Sequence, residues 1–84
     1  MDQQLYLKYL KEYTLDALAH SGDNVSQAYD YLKNKAKPGI LSKDRQEKRA
    51  ALDRVKKIFL ESRERSLYVV FKSLGFDELA KEKL

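Results

Sequence analysis

The chain has 84 residues, no cysteine and a formal net charge of +4 at pH 7, with 43% hydrophobic and 36% charged residues. A chain of this length is expected to form one domain that buries roughly 60 to 65% of its unfolded surface. The lack of cysteine excludes disulfides and thiolate metal sites. No stretch approaches the roughly 20 apolar residues of a membrane span. The N-terminal residues also lack the basic segment followed by an apolar segment that marks a secretory signal. We therefore predict a cytoplasmic domain with no membrane contact.

Apolar residues at helical spacing predict an all-α fold, a single small bundle of four to five helices. The first helix is expected over about residues 3–20. Asp2 is positioned to cap its start, and Gly22 supplies the left-handed residue that commonly ends a helix. Polar residues form only a narrow stripe on this segment, so we expect the helix to be largely buried.

The second helix is expected over about residues 25–35. Asn24 with Gln27 three residues later resembles a capping box, and an amphipathic stripe follows. Pro38 disfavours the helical conformation at the residue before it, so the helix should stop at about Lys35. The stretch from Lys37 to Ser42 is predicted to be a loop.

The third helix is expected over about residues 43–61, with Ser42 as its cap. Continuing its apolar stripe places Ser62 and Ser66 where core residues should be. Either one helix therefore runs from 43 to 74, or the chain breaks between these two serines. We favour the break, with a fourth helix over 66–74.

The last segments contain β-branched and aromatic residues between Leu67 and Phe71, which would also suit a buried strand. No second strand is available to pair with it, so a helix is predicted. Gly75 and Phe76 then form a Schellman ending, in which Phe76 contacts Phe71. Asp77 is expected to cap a fifth helix over about 78–83.

The positive charge lies mainly between Lys33 and Arg65, where twelve basic and five acidic residues give +7; residues 1–32 carry −3 and residues 67–84 are neutral. Acid-before-base spacing at i, i+4 predicts three local ion pairs. These pairs are Asp44 with Lys48, Asp53 with Lys57, and Glu61 with Arg65.

Four further cations lie within about 40° of one another on the third helix at 100° per residue. They are Arg45, Arg49, Lys56 and Arg63. Such a stripe is typical of phosphate contacts, or of side chains whose stems cover the rim of the core. Both interpretations stay open at the level of sequence.

The segment from Ala17 to Leu32 resembles the helix-turn-helix of the factor-for-inversion type and, more loosely, the N-terminal domain of phage small terminase subunits. The matching positions are Leu18, Gly22, Asn24, Val25, Ala28 and Leu32. In those families a DNA-recognition helix follows almost at once. Here the stretch 34–41 intervenes, so the resemblance implies that recognition passes to the helix after Ser42, with Gln46 among its contacts. A Gly-Asn turn of this kind also occurs in ubiquitin-associated domains and other three-helix bundles.

The first functional hypothesis is a small DNA-binding regulatory or accessory protein of the kind that phages and mobile elements encode. RNA is an alternative polyanion, because basic residues and stacking tyrosines suit both nucleic acids. Tyr31 lies off the apolar stripe of the second helix and is predicted to be an exposed contact aromatic. The predicted nucleic-acid contacts are Lys33, Lys35, Lys37, Lys43, Arg45, Lys48, Arg49, Lys56, Lys57 and Arg63.

The second hypothesis is a protein-protein interaction module, such as an adaptor, inhibitor or assembly factor, that uses surplus apolar surface of the first helix together with Tyr68, Val69, Val70 and Phe71. A homodimer is compatible with either hypothesis. We expect no enzyme, no small-molecule substrate, no cofactor and no metal, because the chain has one histidine, no cysteine and no phosphate-binding glycine loop. His20 lies at the end of the first helix, where a partly cationic imidazole is expected to interact favourably with the negative end of the helix dipole.

Overall fold

A computed structural model describes all residues from Met1 to Leu84 and confirms the all-α prediction. The chain forms five α-helices and no strand. The helices are α1 (Gln3–Ser21), α2 (Val25–Lys33), α3 (Arg45–Glu61), α4 (Leu67–Leu74) and α5 (Asp77–Lys81).

Helix α1 begins and ends as predicted, but it is less buried than expected. The Asp2 carboxylate accepts hydrogen bonds from the backbone N–H groups of the first turn, and Gly22 ends the helix at φ 59°. Its tertiary contacts are mainly with α2 and α3. It buries five residues: Tyr9, Leu10, Thr14, Ala17 and Leu18. Leu7 and Leu15 remain 46% and 41% exposed.

Helix α2 confirms the predicted cap. The Asn24 side-chain oxygen accepts the backbone N–H of Gln27 at 2.9 Å, which satisfies a donor that the first helical turn leaves free. The apolar stripe Val25, Ala28 and Leu32 is buried. The helix stops at Lys33, two residues before its predicted end.

Helix α3 begins later than predicted, and its far end confirms the predicted break. The backbone N–H of Ser42 donates to the carbonyl of Gly39, so Ser42 belongs to a turn and does not cap the helix. Asp44 precedes the helix in a left-handed conformation at φ 54° and makes no side-chain cap. The helix ends at Glu61, and Ser66 starts α4 by accepting the N–H of Val69 at 3.4 Å.

The Schellman ending of α4 is confirmed. Gly75 adopts φ 84°, and the N–H of Phe76 donates to the carbonyl of Phe71 at 2.9 Å. The strand alternative for this segment is therefore wrong. The cap predicted for α5 is also wrong, because Asp77 is the first helical residue and Phe76 stands before it.

The core lies around α3, which contacts α1, α2 and α4. Its largest fully buried side chains include Phe59, Leu52 and Val55 of α3 with Leu32 of α2. Helix α4 adds Phe71, and α5 closes the bundle against α4. This arrangement leaves the long connection between α2 and α3 outside the core.

Candidate nucleic-acid interface

The connection over residues 34–44, here called the α2–α3 loop, joins two of the basic elements. Lysine side chains of α3 hold it at two points. The ammonium group of Lys56 donates to the carbonyl of Lys35 at 3.1 Å, and that of Lys48 donates to the hydroxyl of Ser42 at 3.3 Å. These bonds attach the loop to α3 near both of its ends.

Six of the ten predicted contact residues are exposed and unpaired; we call them the open cations. None has a carboxylate oxygen within 4.0 Å. Three belong to the end of α2 or to the loop, two to α3, and one to the turn after α3. The open cations are Lys33, Lys37, Lys43, Arg49, Lys57 and Arg63.

The other four predicted contact residues are half-buried: Lys35, Arg45, Lys48 and Lys56. Lys48 and Lys56 hold the loop, and Arg45 has its Nε buried without a hydrogen-bond partner. Lys35 pairs with Asp16 at 3.5 Å. These side chains cover the rim of the core, which is the alternative interpretation of the basic stripe.

The three ion pairs predicted at i, i+4 are wrong, because none of them forms. Arg65 lies beyond the end of α3, so the helical spacing from Glu61 is lost. Asp53 and Lys57 are both exposed, and each is left to water. The consequence is that helix-local carboxylates neutralise less of the basic segment than the sequence indicates.

Asp44 forms a hydrogen bond with a residue from a distant part of the chain and no ion pair with Lys48. The hydroxyl of Tyr9 donates to its carboxylate at 2.6 Å, while the Lys48 ammonium lies 5.3 Å from the centre of the Tyr9 ring. The hydrogen bond to Asp44, followed by desolvation and the negative charge nearby, raises the pKa of Tyr9 from 10.0 to about 12. Lys48 thus contacts the aromatic face and not the acid.

The predicted stripe on α3 is shorter than expected. Arg45, Arg49 and Lys56 do share one edge of the helix, within about 40° at 100° per residue. Arg63 does not belong to it, because the helix ends at Glu61. The guanidinium of Arg63 instead lies 5.5 Å from the ring centre of Tyr29, on α2.

Tyr31 is not the exposed aromatic that the sequence predicts. Its hydroxyl donates to Asp16 at 2.8 Å, and its ring stacks on His20 with centroids 4.4 Å apart. The face of α2 beside the apolar stripe packs along the polar edge of α1, which explains the difference. Stacking on a base would require Tyr31 to give up these contacts.

Asp16, His20, Tyr31 and Lys35 form a polar cluster, here called the Asp16 cluster. The sequence did not predict it, because its members come from α1, from α2 and from the loop after α2. The Lys35 ammonium reaches both Asp16 and the Tyr31 hydroxyl. Desolvation lowers the pKa of Lys35, but these two partners outweigh it and the pKa is raised. The spacing Asp16–His20 on α1 and Tyr31–Lys35 in the second segment is i, i+4 in both cases, which is the signal that would have suggested a facing pair of polar edges.

Where the sequence resembles a helix-turn-helix, the structure has a turn of three residues, Gly22–Asn24, between α1 and α2. That length is normal for such a unit. The next helix follows only after the α2–α3 loop, so any recognition helix is displaced as the sequence indicates. The Gly22 turn and the buried Ala28 are consistent with the resemblance and also with an ordinary helical bundle.

A metal site, a ligand-binding cleft or a membrane-spanning helix would each indicate another kind of function. No group of three or more His, Cys, Asp or Glu side chains is placed to hold a metal ion. One open cleft of about 290 Å³ lies between α1 and the α4–α5 junction, and none of the open cations lines it. None of the helices has the length and apolar character required to cross a bilayer.

Comparisons of this chain with protein-family models, with curated proteins and with solved structures found no significant match.

Proposed function

We propose that this protein binds duplex DNA through the open cations around the α2–α3 loop and along α3. One observation carries the proposal: of the twelve basic residues between Lys33 and Arg65, only Lys35 has an ion-pair partner. A basic surface with few carboxylate partners suits a polyanion, since each phosphate contact releases condensed counterions. RNA is the alternative polyanion.

The dimensions of the molecule fit a short duplex. Its longest extent is 39 Å, which corresponds to about one turn of B-DNA at roughly 34 to 36 Å per turn. Helix α3 alone is about 25 Å long at 1.5 Å per residue. A duplex of about one turn is therefore long enough to span the molecule.

Affinity measured against salt tests this proposal directly. Fluorescence anisotropy of a labelled duplex of about 16 base pairs, at salt concentrations between about 50 and 200 mM, should give a log–log slope of about −5 if all six open cations contact phosphates. The same titration with duplex RNA and with single strands identifies the preferred nucleic acid. Absence of DNA binding at the lowest salt, or an affinity that ignores salt, contradicts the proposal.

A second candidate function is supported by the apolar side of α1. Leu7 and Leu15 are 46% and 41% exposed, and Lys11 between them lines the cleft beside Phe76. Apolar surface that is exposed beside a cleft can serve as a protein interface. Sedimentation at several concentrations tests whether this side joins two copies: self-association that Leu15→Ser abolishes supports a homodimer, and a strict monomer that ignores DNA favours another protein partner.

A further inference from the structure

The tip of the α2–α3 loop presents two aliphatic side chains to solvent. Ile40 and Leu41 are 83% and 96% exposed. They occupy the two central positions of a turn that the N–H of Ser42 closes by donating to the carbonyl of Gly39 at 3.0 Å. Both side chains therefore lie at the apex of the loop.

This exposure is unusual within the molecule. Among the other large aliphatic side chains, only Met1 and Leu84, at the two ends, are more than half exposed. The centre of a β-turn usually carries Gly, Asn, Asp, Ser or Pro, because their backbone preferences suit the bend. Neither folding nor turn chemistry explains an Ile-Leu pair at this apex.

The loop that carries the tip is held on both sides. The Lys56 ammonium binds the carbonyl of Lys35 before the tip, and the Lys48 ammonium binds the hydroxyl of Ser42 directly after it. Pro38 is half-buried and fixes the backbone close to the turn. The apex is thus displayed from a fastened base.

Two open cations flank the tip in sequence. Lys37 precedes Ile40 by three residues and Lys43 follows Leu41 by two, and both are exposed without a carboxylate partner. An apolar apex with an unpaired lysine on each side of it in the sequence matches a ligand that has negative charges on both sides of an apolar gap. Stacked base pairs between two phosphate backbones have this character.

We propose that Ile40 and Leu41 form a wedge that enters between adjacent base pairs of duplex DNA and bends it, with Lys37 and Lys43 on the flanking phosphates. Ile and Leu are among the side chains that minor-groove architectural proteins insert in this way. The inference rests on the proposed function and adds its mode: the protein deforms the duplex and does not only lie along it.

The distribution of charge favours DNA over an anionic membrane for this tip. A flat membrane surface would engage the apex and its nearest lysines, whereas the open cations continue along α3 to Arg49 and Lys57. The apex also lacks the Trp or Tyr that membrane interfaces favour. A bent duplex, in contrast, permits additional phosphate contacts with such an extended surface.

The test measures bending separately from binding. A duplex of about 20 base pairs with a donor and an acceptor dye at its ends is titrated with the wild type, with Ile40→Ser/Leu41→Ser, and with the control Leu84→Ser, which removes an 88% exposed aliphatic side chain at the C-terminus. We expect the wild type and the control to raise energy transfer at saturation and the loop variant to lose the rise. Affinity should change by less than about tenfold, because apolar burial and base unstacking offset each other.

The outcomes separate the two proposals. A wild type that binds but leaves the duplex straight, or a loop variant that bends it equally, overturns the wedge and leaves the proposed function standing. A wild type that fails to bind DNA removes both. Co-sedimentation with phosphatidylserine–phosphatidylcholine vesicles that requires Ile40 and Leu41, with no DNA bending, assigns the tip to an anionic membrane. Circular dichroism checks that each variant is folded.

Discussion

The basic segment and the C-terminal part of the chain differ in how many of their basic residues form ion pairs. All three lysines after residue 66 lie in ion pairs: Lys72 with Asp77, Lys81 with Glu78, and Lys83 with Asp23. Between Lys33 and Arg65 one basic residue of twelve does so. Exposed pairs add little stability, so the difference bears less on how the protein folds than on where positive charge stays open to a partner.

The largest expected effect comes from neutralising the loop end of the basic segment. Lys33→Gln/Lys37→Gln/Lys43→Gln should weaken DNA binding by about 10² to 10³-fold near 100 mM salt and reduce the magnitude of the salt slope by about 3, since each lost phosphate contact removes about 0.9. Anisotropy titrations measure both quantities.

A matched control has the same change in net charge. Lys72→Gln/Lys81→Gln/Lys83→Gln removes the three paired lysines, and it should weaken binding by less than about tenfold because screening limits charges that are distant from the interface. Equal losses in the two triple variants would mean that binding follows net charge and not a defined surface.

A smaller effect concerns the free energy of unfolding, through the ion pair between Lys35 of the basic segment and Asp16 of α1. Asp16→Asn weakens the ion pair with Lys35 and the hydrogen bond from Tyr31, and should lower the free energy of unfolding by about 1 kcal/mol, a modest value because Asp16 is partly exposed. Urea unfolding followed by circular dichroism measures it. Asp53→Asn, at an exposed carboxylate without a partner, should stay within about 0.5 kcal/mol of wild type; a similar loss there would argue against the Asp16 cluster.

The smallest effect appears at high pH, where Asp44 is held by Tyr9 and not by Lys48. Folding raises the pKa of Tyr9 from 10.0 to about 12, so the folded state holds this proton more tightly. The resulting stabilisation is complete below pH 10 and is lost as the pH rises through 12. The urea midpoint should therefore fall more steeply over this interval in the wild type than in Tyr9→Phe. Parallel curves would show that the Tyr9–Asp44 bond does not contribute.

Local chemistry explains the parts of the fold that the sequence predicted well. Asp2 and Asn24 cap their helices through bonds that span two or three residues. Gly75 ends α4 because its left-handed conformation is accessible to glycine at little cost. The break after Ser62 follows from two serines in positions where the apolar stripe requires core side chains. These features depend only on neighbours in the chain.

The errors arise where a distant partner competes with a local one. Asp44 meets Tyr9, which is 35 residues away, and Tyr31 meets Asp16 from α1. The wide apolar side of α1 suggested burial, yet other helices do not fully cover it. The tip at Ile40 and Leu41 went unnoticed because two aliphatics in a loop have no helical or strand period to reveal them.

The two lysine bonds at the base of the α2–α3 loop have a consequence for the thermodynamics of binding. A loop that becomes ordered only on contact loses conformational entropy at that moment, which weakens the complex. Here Lys48 and Lys56 restrict the loop during folding, so that the entropic cost falls on folding and much less of it remains for association.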